Sequence, residues 1–392
     1  MRVSNNKANE YSSKIQKKDV YHRIVVKVGT NLLTAGTDHL DLEVMSKLVG
    51  QIARLHHRGV QVVLVSSGAM AAGRHTLGLA RVRRKGRRDI PFKQVLASVG
   101  QHRLMYAYEQ LFAWQDIVVA QALLTKTDLS DRSGYLNARD TLLALLELKV
   151  LPIVNENDVV AVEEIKENKF GDNDNLSALV ANLVDADLLA LLGDVAGLYT
   201  ADPHLDPKAK LITRVDRIDC RIEKLAIGSA GQRGIGGMTT KLEAARLATD
   251  SGIAVTIANG QEHEVITRLV GGEEIGTSFA PMGSRFESRK RWMLSGLGCK
   301  GKVVIDDGAA EAIRKDKCSL LSAGINEVEG EFYRGDVVVM VDAQGHCVAR
   351  GITSYGSEEL LIIKGAHSEQ INSILGYEYG AEVVHRNNMV AL

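Results

Sequence analysis

Two short runs concentrate carboxylates and amides: NEND at 155–158 and GDNDN at 171–175. The second stands directly before the apolar run LSALVANLV, where a cluster of this kind could cap a helix, bind a metal or organise a catalytic site. Two lysines, Lys27 and Lys241, fall at the end of one strand-like run and the start of one helix-like run, beside Gly29, Gly68, Gly236 and Gly237. Phosphoryl transfer asks a protein chiefly for positioning and for positive charge around the moving group, and this set supplies both. A Ser-His-Asp hydrolase fails for want of a placed histidine. The eleven histidines show no metal-ligand spacing along the chain.

These residues need a frame. From about 21 to 260, short β-rich runs (HRIVVKV, VQVVLVSSG, VLPIVNEND, DLLALLGD, IAVTIANG) alternate with longer segments of helical period such as DLEVMSKLVGQIARLHHRG. That alternation predicts an α/β domain with a mostly parallel sheet sandwiched by helices. Ligands gather at the carboxyl ends of such strands. The residues there are Lys27 and Gly29, then Ser67 and Gly68, then Asn155 to Asp158, then Gly193 and Asp194. Glycines in turns and Ser or Asp at helix caps explain any one of these ends, but not why nearly every end is so equipped. In GIGGMTTKLEAARL a glycine stretch opens into a helical pattern with Lys241 in the first turn, a suitable arrangement for a phosphate chain. A plain helix capped by Thr239 or Thr240, with an exposed lysine, is the competing reading.

Composition narrows the rest. The 392 residues are 45% hydrophobic, enough for two or three domains, and 48 Lys and Arg balance 48 Asp and Glu, so no polyanion or membrane surface is indicated as main partner. The first twenty residues are polar and lack the apolar core of a signal peptide, which predicts a flexible tail (1–20) on a cytoplasmic protein. Cys220, Cys299, Cys318 and Cys347 are widely spaced and suggest reduced thiols. GLGCKGK (296–302) matches a dinucleotide pattern and part of a P-loop, yet leads into KVVID rather than a helix, so it is read as a linker's end. The predicted division is a first domain over 21–270, a linker over 271–296 and a small β-rich domain of short strands and glycine turns over 297–392. The basic run ARVRRKGRRD (80–89) is read as a solvated loop.

Seven motifs in order, KVGTN, VSSGAMAAGR, LNARDTL, VNENDVV, GDNDNLSALVA, GLYTADP and GGMTTK, resemble the amino acid kinase family and, within it, the glutamate 5-kinases. The tail, with VIDDGAAEAI, SLLSAGI, VEGEFYRGD and ARGITSYGSEEL, resembles the PUA domain. The resemblance implies transfer of the ATP γ-phosphoryl group to the side-chain carboxylate of L-glutamate, with Mg²⁺ held mainly by ATP and water, as the first step of proline synthesis. It implies Lys27, Lys241 and Asp172 as catalytic residues, with Asp172 holding the two lysines, and Ser67, Asn155, Asp158 and Asn173 as the glutamate site. It leaves Asp174 or Asn175 to cap the following helix. For ATP it implies Lys27, Gly29, Gly68, Gly193, Asp194, Ile235, Gly236, Gly237, Met238, Thr239, Thr240 and Lys241. Gly193 and Ile235 stand where the family usually has a hydroxyl residue, so those nucleotide contacts are expected to differ. Proline as feedback inhibitor, a homo-oligomer and glutamyl phosphate reductase as a pathway partner are further implications. RNA binding by the tail rests on fold analogy alone. Acetylglutamate or aspartate kinase, or an RNA-binding protein acting through the tail, are the competing functions.

Overall fold

The computed structural model describes residues 19–78, 90–130, 132–161, 173–203, 205–228, 237–282, 299–316 and 318–391. Eight strands form the first sheet: β1 (Arg23–Val28), β2 (Gln61–Ser66), β3 (Val119–Leu124), β4 (Leu151–Glu156), β5 (Leu188–Gly193), β6 (Arg214–Val215), β7 (Ala254–Asn259) and β8 (Thr277–Phe279). Their order is β3-β4-β2-β1-β5-β7-β8-β6, and the first six are mutually parallel, while β8 runs antiparallel to β7. The expected mostly parallel sheet is present.

Helices cover both faces. They are α1 (Thr30–Leu33), α2 (Leu42–His57), α3 (Ala69–Thr76), α4 (Ile90–Ala113), α5 (Lys126–Ser130), α6 (Arg132–Glu147), α7 (Asn173–Leu183), α8 (Cys220–Gly228), α9 (Gly237–Asp250) and α10 (Val265–Val270). Ile24, Val26 and Val28 point into a core shared with α2, α4 and α10, whereas Val25 points into a second core shared with α6, α7 and α9. Strand side chains alternate, so Lys27 emerges on the Val25 face, at the carboxyl end of a central strand and toward α7 and α9.

One helix crossing fixes the ceiling of the site. On α3 and α4, Gly73 and Gly100 meet backbone to backbone: a Cβ on Gly73 would lie 1.9 Å from the Leu96 carbonyl oxygen, and one on Gly100 1.7 Å from that of Ala69. Neither neighbour is a side chain that could swing away. Gly100→Ala is therefore expected to cost at least about 1–3 kcal/mol of stability by pushing α3 outward. A urea midpoint unchanged from wild type would contradict this packing argument.

The tail forms a second sheet of β9 (Gly301–Ile305), β11 (Ile325–Glu329), β12 (Val337–Val341), β13 (Cys347–Ile352) and β15 (Met389–Ala391), in the order β11-β9-β12-β13-β15, with β10 (Leu320–Leu321) pairing β14 (Glu382–Val384). A strand does follow GLGCKGK, as expected. The reading of the tail as strands and turns missed three helices, Asp307–Asp316, Ser357–Ile363 and Ile371–Leu375. In the first, the Asp306 carboxylate accepts from the Ala309 amide and starts an Ala-rich turn. The linker also begins later than 271, because residues 277–279 are β8 of the first sheet and the Met282 amide donates to the Thr249 carbonyl. The basic run lies outside the described residues, which resume at residue 90, where α4 begins.

The two domains touch. Arg334 of the tail donates to Asn137 and, at 3.1 Å, to Asp140 on α6, and its guanidinium lies 4.2 Å over the Tyr379 ring. Beside it Leu136 is buried with Val337, Ile352 and Val390 of the tail.

Candidate active site

Three charged side chains meet beneath the carboxyl ends of β1 and β5. Lys27 (β1) and Asp174 (α7) form an ion pair of 2.6 Å, and Lys241 (α9) approaches the other oxygen of the same carboxylate at 3.4 Å. Thr240 donates to that second oxygen at 2.7 Å, and the Lys241 ammonium also donates to the Gly237 carbonyl at 3.2 Å. Lys27 is 4% exposed and Asp174 2%. Burial alone would raise the Asp174 carboxyl. The ammonium groups of Lys27 and Lys241, with hydrogen bonds from Lys27 and Thr240, outweigh it and hold the carboxyl below the usual carboxylate range.

The resemblance implies that Asp172 holds both lysines and that Asp174 or Asn175 caps the helix. Asp174 holds the lysines, because α7 begins at Asn173 and turns residue 174 inward, on one face with Ser177, Ala178 and Ala181, all buried. Asp172 lies outside the described residues, as do Ile235 and Gly236. Asn175 does not cap either; its amide reaches Glu243 on α9 at 3.5 Å.

On the adjoining side, Asn173 donates to the Ser67 hydroxyl at 3.1 Å, and both are buried. The Asn173 Oδ1 is buried without a hydrogen-bond partner. With its N–H group turned to Ser67, the amide presents an acceptor. Asn155 is engaged at both ends, donating to Gln101 on α4 at 2.7 Å and accepting from the Glu156 amide at 2.9 Å, so it braces the pocket wall rather than offering an open group. Asp158 sits on the turn after β4, half-buried. Below Ser67, the Ser66 hydroxyl and the Tyr108 hydroxyl share a buried hydrogen bond of 2.9 Å, which ties β2 to α4. Neither Tyr108 nor Gln101 carries a signal in the sequence, since both act from the middle of a helix.

The glycines divide by role. Gly68 opens α3 with φ 105°, a conformation that favours glycine, and a Cβ there would press on Leu33 at 3.3 Å. The resemblance implies Gly29 in ATP binding, but its N–H donates to the Leu192 carbonyl at 3.1 Å and belongs to the sheet. Gly193 lies against the Lys241 stem, where a Cβ added to it would sit 3.4 Å from the Lys241 Cε, and Asp194 accepts from Asn31 at 3.0 Å on the exposed rim. Gly237, Met238, Thr239 and Thr240 form the first turn of α9, whose amino end points at the Lys241 side of the trio.

A model described as the amino acid kinase family matches residues 22–259, and one described as the PUA domain matches residues 301–375. The chain belongs to the amino acid kinase family. Its near-full-length relatives are glutamate 5-kinases. That of Dehalococcoides mccartyi (strain CBDB1) is 54% identical over 372 residues, covering 95% of this chain and 99% of the relative. The one from Herpetosiphon aurantiacus is 51% identical over 374 residues, again covering 95% and 99%.

Proposed function

We infer that the chain transfers the γ-phosphoryl group of ATP to the side-chain carboxylate of L-glutamate, giving γ-glutamyl phosphate, the first step of proline biosynthesis. The observation that carries the chemistry is the buried Lys27–Asp174–Lys241 trio. Two ammonium groups converge on one carboxylate in a buried site, an arrangement that preorganises positive charge for a transferring phosphoryl group. The acceptor carboxylate has an unperturbed pKa of about 4.3 and is ionised at neutral pH, so no general base is required. The task is to let two anions meet.

Asp174 fixes both lysines before substrate arrives, and the first turn of α9 supplies amides to the nucleotide phosphates. Asp174 is committed to Lys27, Lys241 and Thr240, so it is not free to ligate a metal. Mg²⁺ bound to ATP oxygens and water would neutralise phosphate charge during transfer. Glutamate would place its ammonium at the Asn173 acceptor and Asp158, and its α-carboxylate at Ser67. Proline carries the same two groups and would compete there. A homo-oligomer and delivery of the acyl phosphate to glutamyl phosphate reductase complete the reading. No helix among the described residues is long and apolar enough to cross a membrane.

The test is a hydroxylamine-trapping assay with purified protein, ATP, Mg²⁺ and L-glutamate, run beside aspartate and N-acetylglutamate. Glutamate-dependent hydroxamate is expected; none at any glutamate concentration overturns the reading. Asn173→Ala should raise the KM for glutamate at least about tenfold with little change in the KM for ATP, since the side chain faces one substrate only. Equal shifts in both constants would contradict that placement.

A further inference from the structure

Along the chain the histidines show no ligand spacing, but folding brings two of them together with a carboxylate. Asp38 and His39 lie on the loop between α1 and α2, and His75 lies in the last turn of α3. One ligand atom from each falls within 4.8 Å of the other two. The imidazole rings of His39 and His75 are 5.3 Å apart between centroids, and the Asp38 carboxylate is 3.1 Å from the His39 Nδ1. All three side chains are exposed, so each can rotate without disturbing a core.

We propose that Asp38, His39 and His75 form a binding site for a divalent transition metal ion such as Zn²⁺, separate from the Mg²⁺ that accompanies ATP. Two imidazoles and one carboxylate suit zinc, cobalt or nickel, whereas magnesium prefers an all-oxygen shell. Tetrahedral zinc with bonds of about 2.0–2.1 Å needs its ligand atoms roughly 3.3 Å apart. The Asp38–His39 pair already meets that spacing, and the third side chain reaches it by a change of rotamer. The fourth position stays open to water.

The backbone beneath is fixed on both sides, which separates this group from a chance meeting of surface residues. The Thr37 hydroxyl donates to the Thr34 carbonyl at 2.6 Å, and the Asp41 amide to the Leu33 carbonyl at 2.8 Å. Asp41 then caps α2 through the amides of Glu43 and Val44. On the other side α3 is held by its glycine crossing with α4. Metal bound here would tie the loop to the far end of the helix that begins beside Ser67 and Gly68.

The experiment titrates full-length protein, free of nucleotide, with Co²⁺ followed by visible absorption and with Zn²⁺ followed by calorimetry. One micromolar or tighter site per chain is expected, weakened about 10–100-fold in His39→Ala and in His75→Ala, and unchanged in His57→Ala, which alters an exposed histidine outside the cluster. Zn²⁺ should also raise the Tm of wild type and not that of His75→Ala, while millimolar Mg²⁺ should not displace Co²⁺. Affinity equal in wild type and both cluster variants, or only millimolar binding in wild type, overturns the proposal.

Discussion

Asp174→Asn is expected to lower kcat by at least about 10²-fold, because its carboxylate lies between the two lysines. The asparagine keeps the shape and removes the charge. Lys27 and Lys241 would then face each other in a buried site without their counter-ion, and breaking a buried pair in this way costs about 3–5 kcal/mol. Circular dichroism and the urea midpoint separate that loss of stability from loss of chemistry. A variant that folds at 25 °C and still turns over at the wild-type rate would show that the lysines need no anchor.

The same carboxylate sets an acid limit. Its folded pKa lies below its unfolded value, so the unfolded chain binds its proton first as pH falls. The stability it contributes is fully present above the unfolded carboxylate range, near pH 4, and is lost as pH falls through the folded value. The stability gap between wild type and Asp174→Asn should therefore be constant around neutrality and shrink only in acid.

Lys27→Ala and Lys241→Ala should each reduce kcat by about 10²-fold or more under saturating substrates, since each removes one preorganised cation from the transferring group. Their effects should not add. Once either ammonium is gone the remaining one pairs fully with Asp174, the trio becomes neutral, and most of its pull on phosphate is already lost. The double variant is thus expected to fall little below the worse single variant, as for groups that act as a unit. Measured kcat values that multiply across the two positions would show that the lysines act independently.

Much of this was legible before folding. Strand runs and the small or polar residues at their ends gave the sheet, its function-bearing edge and both lysines. The inward face of Lys27 also follows from counting two residues from Val25. What failed was a matter of helical phase. GDNDN offers two aspartates two positions apart, and which one turns inward depends on where the helix begins. The small residues Ser177, Ala178 and Ala181 repeat at three, four and seven positions after Asp174, so the face was written in the sequence, but only after the first residue of α7 is known. The engagement of Gly29 by Leu192 and of Asn155 by Gln101 was not legible at all, because each partner lies on another element far along the chain. For the same reason no spacing rule could join His39 to His75.

The contact between Leu136 and the tail bears on the order of synthesis. Leu136 belongs to an early helix, and the apolar residues that cover it, Val337, Ile352 and Val390, leave the ribosome much later. Domains generally fold amino-terminal part first during translation. The kinase half can therefore complete its sheet while Leu136 still faces solvent, and a nascent chain waits with one open apolar spot until β15 arrives. A chain halted at 282 keeps that spot open permanently, so shortened forms of this protein should tend toward self-association even where their catalytic residues are all in place.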